Sequence, residues 1–231
     1  MNAFSEFTLT NGLLYDYTDN TYPTRLHAWK GEQSFLTESS TYYGYVFEGA
    51  TQLTTPDNQY HLLARQYFCV NQPICVDGGS GIVIERVGYR GMNSVGGPVE
   101  KQGRLKYIDG CTDSLLIPPV KLGDPCLNAL FFPVSIDQTA HTHPSMRVGM
   151  VIDGEGWCVT PEQTYKLVPG MVFIIHEGGA HKFKTGDKAP LTVVAYHPDS
   201  DFGPLDENHP MINRTMVEGV SASRIREIQT Q

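Results

Sequence analysis

The sequence predicts an all-β chain built from two copies of one β unit. Three observations carry this. Strand-sized apolar runs recur along the length, Gly and Pro interrupt them often, and the chain repeats itself at a fixed spacing.

The runs include Tyr43 to Phe47, Tyr60 to Phe68, Gly81 to Val87, Ala129 to Val134, Val148 to Ile152, Gly170 to Ile175 and Leu191 to Tyr196. Most end at Gly, Pro, Asp or Asn. The 231 residues include 23 Gly and 15 Pro, a density that favours short strands and turns over long helices. The one helix candidate is the tail from Ser221 to Gln229, where Ser223 would cap a short turn carrying Ile225 and Ile228.

Residues 44–70 align without gaps to residues 149–175. The identities are Gly44 with Gly149, Val46 with Val151, Gly49 with Gly154, Thr55 with Thr160, Pro56 with Pro161, Tyr60 with Tyr165, Leu62 with Leu167 and Phe68 with Phe173. They fall on turn glycines and strand apolars, the positions a shared backbone dictates. The expected division is residues 1–100 and 101–231, with a Gly- and Pro-rich join between Tyr89 and Asp124.

Hydrophobic residues make up 40% and charged residues 18%, which excludes a disordered chain. Net charge is -8 and no stretch clusters Lys and Arg, so a nucleic-acid partner lacks its electrostatic footprint. The five cysteines are odd in number and form no CxxC pair, so they read as reduced, mostly buried thiols. The first residues carry no basic and apolar leader pattern, and no apolar run reaches the ~18 residues a membrane span needs. The expectation is a soluble, cytoplasmic protein with no membrane partner.

The strongest local signal is His141-Thr142-His143. Two histidines at i and i+2 on a strand project from one face, so both rings can reach one ion. His181 follows the turn Glu177-Gly178-Gly179-Ala180 and opens another strand. Three neutral imidazoles suit Zn, Fe, Co, Ni or Cu, and suit Mg or Ca poorly.

These residues resemble the two motifs of the cupin superfamily. The first, G(X)5HXH(X)3,4E(X)6G, is met by His141, His143 and Gly154; Ser135 stands for the leading Gly and Arg147 for the usual ligand Glu. The second, G(X)5PXG(X)2H(X)3N, is met by Gly170, Gly178 and His181; His176 stands for Pro and Thr185 for Asn. The likeness is strong over about residues 125–198 and extends weakly, through the repeat, to 36–90. It implies two jelly-roll barrels (RmlC-like) with the metal in the mouth of the second, among wall candidates Phe131, Met150, Phe173 and Phe183. In the first repeat the histidine positions fall on Leu36, Glu38 and Val76, so that barrel is expected to lack metal. It would cover an edge of the second or mimic a dimer internally; a homodimer is left open.

A three-His site without the Glu resembles those of gentisate-type, diketone-cleaving and thiol dioxygenases of this family. That resemblance implies one divalent metal, Fe(II) first, with Zn, Mn or Ni as alternatives. The substrate would be a small anionic or enolic molecule. Arg147 either points into the cup and clamps that anion, or turns away to a surface carboxylate. His197, near where a cupin's last strand ends, is a candidate proton carrier or substrate contact. His176 reads as a turn residue, a donor to a ligand, or a fourth ligand; His209 reads as surface, and His27 and His61 show no partners. Asp199, Asp201, Asp206 and Glu207 read as a solvated acidic loop. Two other functions remain open: a non-redox isomerase, lyase or hydrolase, and a metal-dependent binding module without turnover.

Overall fold

The computed structural model describes residues 2–205 and 209–230. Its regular elements are strands and a few single-turn 3-10 helices, and the strands pair antiparallel. Among the described residues, no helix is long and apolar enough to cross a membrane.

Each half is a pair of facing sheets. The first has a six-stranded sheet in the order Ser94–Gly96, Tyr67–Val70, Ser40–Glu48, Ser80–Val87, Thr24–Lys30 and Gly12–Tyr17. Facing it are Gln33–Phe35, Ile74–Asp77, Ala50–Thr54 and Gln59–Leu63. The second half has a seven-stranded sheet in the order Phe4–Phe7, Val172–Ile175, Arg147–Gly154, Leu191–His197, Cys126–Phe132, Thr112–Ile117 and Leu105–Lys106. Facing it are Thr164–Leu167, Gly156–Val159 and Lys182–Lys184. The sheets of each half stay separate, so the two jelly-roll units expected are present as barrels that do not close.

Three cores follow. One, around Trp29, Tyr42, Phe68 and Val83, fills the first half. Another, around Phe4, Phe132, Phe173 and Phe183, fills the second. The third joins Leu26, Tyr43, Tyr45 and Ile84 of the first large sheet to Phe131, Val148, Met150 and Tyr196 of the second. Both large sheets are thus covered on both faces, which is why their central strands read as continuous apolar runs rather than alternating ones. Phe131 and Met150, expected on the cup wall, lie instead in this joint core. Their neighbours Leu130, Phe132 and Gly149 take the cup face, since successive side chains on a strand alternate.

Several identities of the repeat have a structural counterpart. Val46 exchanges backbone hydrogen bonds with Gln66 and Arg65, and Val151 does so with Met171 and Gly170. Thr55 Oγ1 closes a turn with Asn58 as Thr160 Oγ1 does with Gln163. The run Tyr60 to Phe68 is two strands, with Arg65 at a positive φ of 72° in the turn between them; its counterpart is Gly170 at 86°. Upstream of Tyr42 the ungapped spacing ends. Val76 pairs with Gln33, as His181 pairs with His141, so the counterparts of the first two histidines are Gln33 and Phe35, not Leu36 and Glu38. Buried Phe35, with Tyr42 at the counterpart of Arg147, fills the first half where the second keeps a cavity.

The strand Phe4–Phe7 crosses the division expected at residue 100. It pairs with Val172–Ile175 and completes the edge of the second half's sheet. The tail forms no α-helix: Ala222–Arg224 and Arg226–Ile228 are separate 3-10 turns, and Ser221, not Ser223, supplies the capping oxygen. Ile225, at φ −111° and ψ 87°, breaks the continuity between them. The five cysteines form no disulfide, and all but the half-buried Cys75 are buried.

Candidate metal centre

His141 and His181 meet as an isolated antiparallel bridge, each N–H donating to the other's carbonyl at 2.9 and 3.0 Å. His143 returns to the same face two residues on. The three ring centroids lie 4.6 to 5.2 Å apart. One nitrogen from each ring falls within 4.8 Å of the others, and this is the one such group of potential metal ligands among the described residues.

The backbone sets the tautomers. His141 Nδ1 lies 2.9 Å from the Thr139 carbonyl oxygen, and His181 Nδ1 lies 2.9 Å from that of Gly179. A carbonyl oxygen only accepts, so each Nδ1 carries the proton and each Nε2 keeps its lone pair. Burial, then the Arg147 charge and the neighbouring rings, holds His143 at about 3. Burial, outweighing a hydrogen bond to Gly179, holds His181 at about 4. Neutral imidazoles with free Nε2 lone pairs fit a divalent transition metal.

The departures from the motif have local roles. Ser135, in place of the leading Gly, sits at a positive φ of 62°, the region that favours glycine. Thr185, in place of Asn, donates to the Pro133 carbonyl at 2.6 Å and accepts from Ile136 N at 2.9 Å, fastening the segment before the histidines to the strand after His181.

A cavity of about 260 Å³ opens beside the histidines. Its apolar end is Leu130, Phe132, Phe173, Phe183 and Val193. Its polar end holds Arg147, His197, Asp113, Asn128 and Tyr107. Arg147 thus lines the cup, yet it is also paired: Nη1 lies 3.2 Å from Asp199 Oδ1 and donates to the Met146 carbonyl at 3.0 Å and to Ser145 Oγ. Its other edge is free among the described residues, where Nε is buried without a partner and no hydrogen bond forms at Nη2. Asp199 is therefore not merely solvated; Asp206 and Glu207 lie outside the described residues.

His197 ends its strand on the same face, with Nε2 buried and unpartnered. Burial, then the Arg147 charge and His143, holds it well below the ordinary histidine value, so its ring is neutral. His176 lies outside the cup: its Nε2 is 2.8 Å from Ser5 Oγ and its ring packs near Tyr15 and Tyr17. His209 is exposed, with Nδ1 accepting from Met211 N. His27 lies 3.6 Å from the buried Glu85.

Sequence reasoning missed Asp113, Asn128 and Tyr107. Asn128 Nδ2 donates to both Asp113 oxygens, at 3.2 and 2.9 Å, and burial outweighs this to raise the Asp113 pKa. The signal for Asp113 and Asn128 was parity: Asn128 lies on the cup face of the strand that pairs with that of His197, and Asp113 on the same face of the next strand out.

The family described as an AraC-like ligand binding domain matches residues 137–210, a segment that contains all three histidines. No curated protein matches the chain in sequence. Solved structures do. A cupin 2 conserved barrel domain protein from Leptotrichia buccalis is 12% identical at a TM-score of 0.56, with 85% of this chain and 89% of that one covered. A salicylate 1,2-dioxygenase mutant from Pseudoaminobacter salicylatoxidans is 8% identical at 0.57, with 76% and 69% covered. A mutant of Bacillus subtilis oxalate decarboxylase is 8% identical at 0.54, with 85% and 77% covered. At such identities a likeness establishes the fold, and by that measure the chain is a cupin-fold protein.

Proposed function

We propose that the chain is a metal-dependent enzyme of dioxygenase type acting on a small anionic or enolic molecule. It would hold one divalent transition metal, Fe(II) first, on His141, His143 and His181. The observation that carries this is the convergence of three imidazoles, two with backbone-fixed tautomers, beside a largely apolar cavity that also holds a half-free guanidinium.

A metal in this set supplies Lewis acidity and, as Fe(II), one-electron chemistry towards O2. The protein's own groups do the rest. The free Nε–Nη2 edge of Arg147 binds a carboxylate or enolate through two parallel hydrogen bonds, while Asp199 holds the other edge in place. Phe132, Phe173 and Phe183 exclude water and strengthen that contact. His197, neutral and unpartnered at Nε2, takes up the proton released when an acidic group binds as its anion. Salicylate 1,2-dioxygenase among the similar folds is consistent with this reading.

One other reading has support of its own. The matched family is described as a ligand binding domain, so the chain could bind without turnover. Oxygen uptake separates the two. Protein loaded anaerobically with Fe(II) is expected to consume O2 with at least one member of a panel of small acids and phenols. Turnover without O2 in the Zn, Mn or Ni form would select a non-redox enzyme. Tight binding without product would select the binding module.

A further inference from the structure

The cup face of the seven-stranded sheet is wider than the three-stranded sheet that covers it. Strand parity puts Asp113 and Leu115, Cys126 and Asn128, His197, and Arg147 all on that face. The covering sheet lies over the end formed by Phe132, Phe173 and Val193. Towards the edge strand Leu105–Lys106 the same face is open. It forms a second chamber of about 690 Å³, walled by Leu115, Pro119 and Cys126 and on another side by Asp199, Ser200 and Asp201, with Phe202 and Arg104 at its lip. The two cavities share Leu105, Asp113, Asn128, Arg147 and His197.

The wall between them is unlike the rest. Arg147 Nε, His197 Nε2 and Asn128 Oδ1 are all buried there without hydrogen-bond partners. The Asn128 amide cannot turn to relieve its oxygen, because its NH2 group faces the carboxylate of Asp113. Native proteins rarely leave three such atoms together unless something else satisfies them. Beyond them the chamber is mostly apolar, and Phe202 stands exposed at its lip.

We propose that the cup and the outer chamber form one two-part ligand site for a monocarboxylic acid with an extended apolar body. The carboxylate sits at the wall on Arg147, the reacting end faces the histidines, and the apolar body lies against Leu115, Pro119 and Phe202. This rests on the function proposed above for the end at the histidines, but the outer chamber acts whether or not turnover occurs. It predicts a substrate larger than the cup alone can enclose.

The test is calorimetric binding of a series of acids to the metal-free full chain: acetate, benzoate, 3-phenylpropionate and biphenyl-4-carboxylate. Affinity is expected to rise at least tenfold from acetate to the largest acid. Leu115→Trp, which fills the chamber, should remove that gain while leaving acetate binding and metal content unchanged. Should Leu115→Trp fail to fold, Phe202→Ala, at an exposed position, should weaken the largest acid several-fold and acetate not at all. Equal affinity across the series, or a full gain in both variants, would overturn the proposal. Oxygen uptake with a small acid and no gain along the series would sink the chamber and leave the enzyme reading standing. A gain along the series with no metal bound after reconstitution would do the reverse.

Discussion

Gly149 lies directly under the ring of Phe173, and a Cβ there would fall 2.1 Å from Cζ. Gly44 and Phe68 repeat the arrangement in the first half, where the distance is 2.0 Å. In both pairs the two residues are cross-strand partners in the large sheet. The ring fills the space the missing side chain leaves, and the contact fixes how the cup face packs against the small sheet.

Gly149→Ala should therefore cost about 1–3 kcal/mol, the usual range for forcing an extra carbon into a packed core. Gly44→Ala should behave alike. Denaturant unfolding of each variant measures it, and unchanged midpoints would show that the rings yield freely.

Glu85 is buried in the first half beside His27, Ser40, Thr37 and Arg25. Burial alone would raise its pKa, but those four neighbours outweigh it and hold the carboxylate at about 2. A carboxylate held low stabilises the fold above its ordinary value of 4.5, and that contribution fades as pH falls from there through about 2. Glu85→Gln should be less stable than the parent at pH 7 by up to about 3 kcal/mol. The gap should narrow by pH 3, because the parent begins to lose the same contribution. A gap that stays constant between the two pH values would mean that the charge is not what Glu85 contributes.

Arg147 is held on one edge by Asp199, Ser145 and Met146 and is free on the other. Lys offers a point charge and no fork. Arg147→Lys is expected to weaken binding of small carboxylates about tenfold, since one charge-assisted hydrogen bond is lost. Metal content, read on the same samples, should not change. Arg147→Glu places a carboxylate near the histidines and should tighten metal while lowering turnover. Parent-like affinity for every acid in Arg147→Ala would end this role.

The first strand ties the two halves together. Ala3 O accepts from His176 N at 3.0 Å, at the start of the turn that leads to His181, and Phe4 is fully buried in the second half's core. Deleting residues 1–8 should cost at least the ~1.5–3 kcal/mol of burying one such side chain. It should also loosen metal retention by freeing the segment before His181. A thermal melt and a competitive chelator titration together read both effects. A truncated chain with parent-like melting and metal affinity would show that the strand is dispensable.

Much of this was legible in the sequence because the repeat falls on residues with steric duties. Gly149 must lack a side chain, Gly154 needs a positive φ of 71°, and Thr160 closes its turn through its own hydroxyl. The histidine set was legible because i and i+2 share a face on extended backbone. What escaped was long-range. Phe4–Phe7 is a short strand whose partner lies more than 160 residues away, and nothing local specifies that pairing. Phe131 and Met150 were assigned to the cup because size says nothing about which face of a strand is inward. The counterparts of His141 and His143 are displaced because the loop between Phe35 and Tyr42 differs in length from that between His143 and Arg147, so the ungapped spacing ends there. Asp113 and Asn128 look like ordinary strand polars until the sheet brings them beside Arg147.

The central claim is one transition metal on three histidines of the second half. Metal analysis of the purified full chain, reconstituted with Fe(II) or Zn(II) and desalted, tests it most directly. One metal per chain is expected, falling to near zero in His141→Ala/His143→Ala, which removes two of the three ligands. Two metals per chain, none after reconstitution, or one retained in the double variant would contradict it.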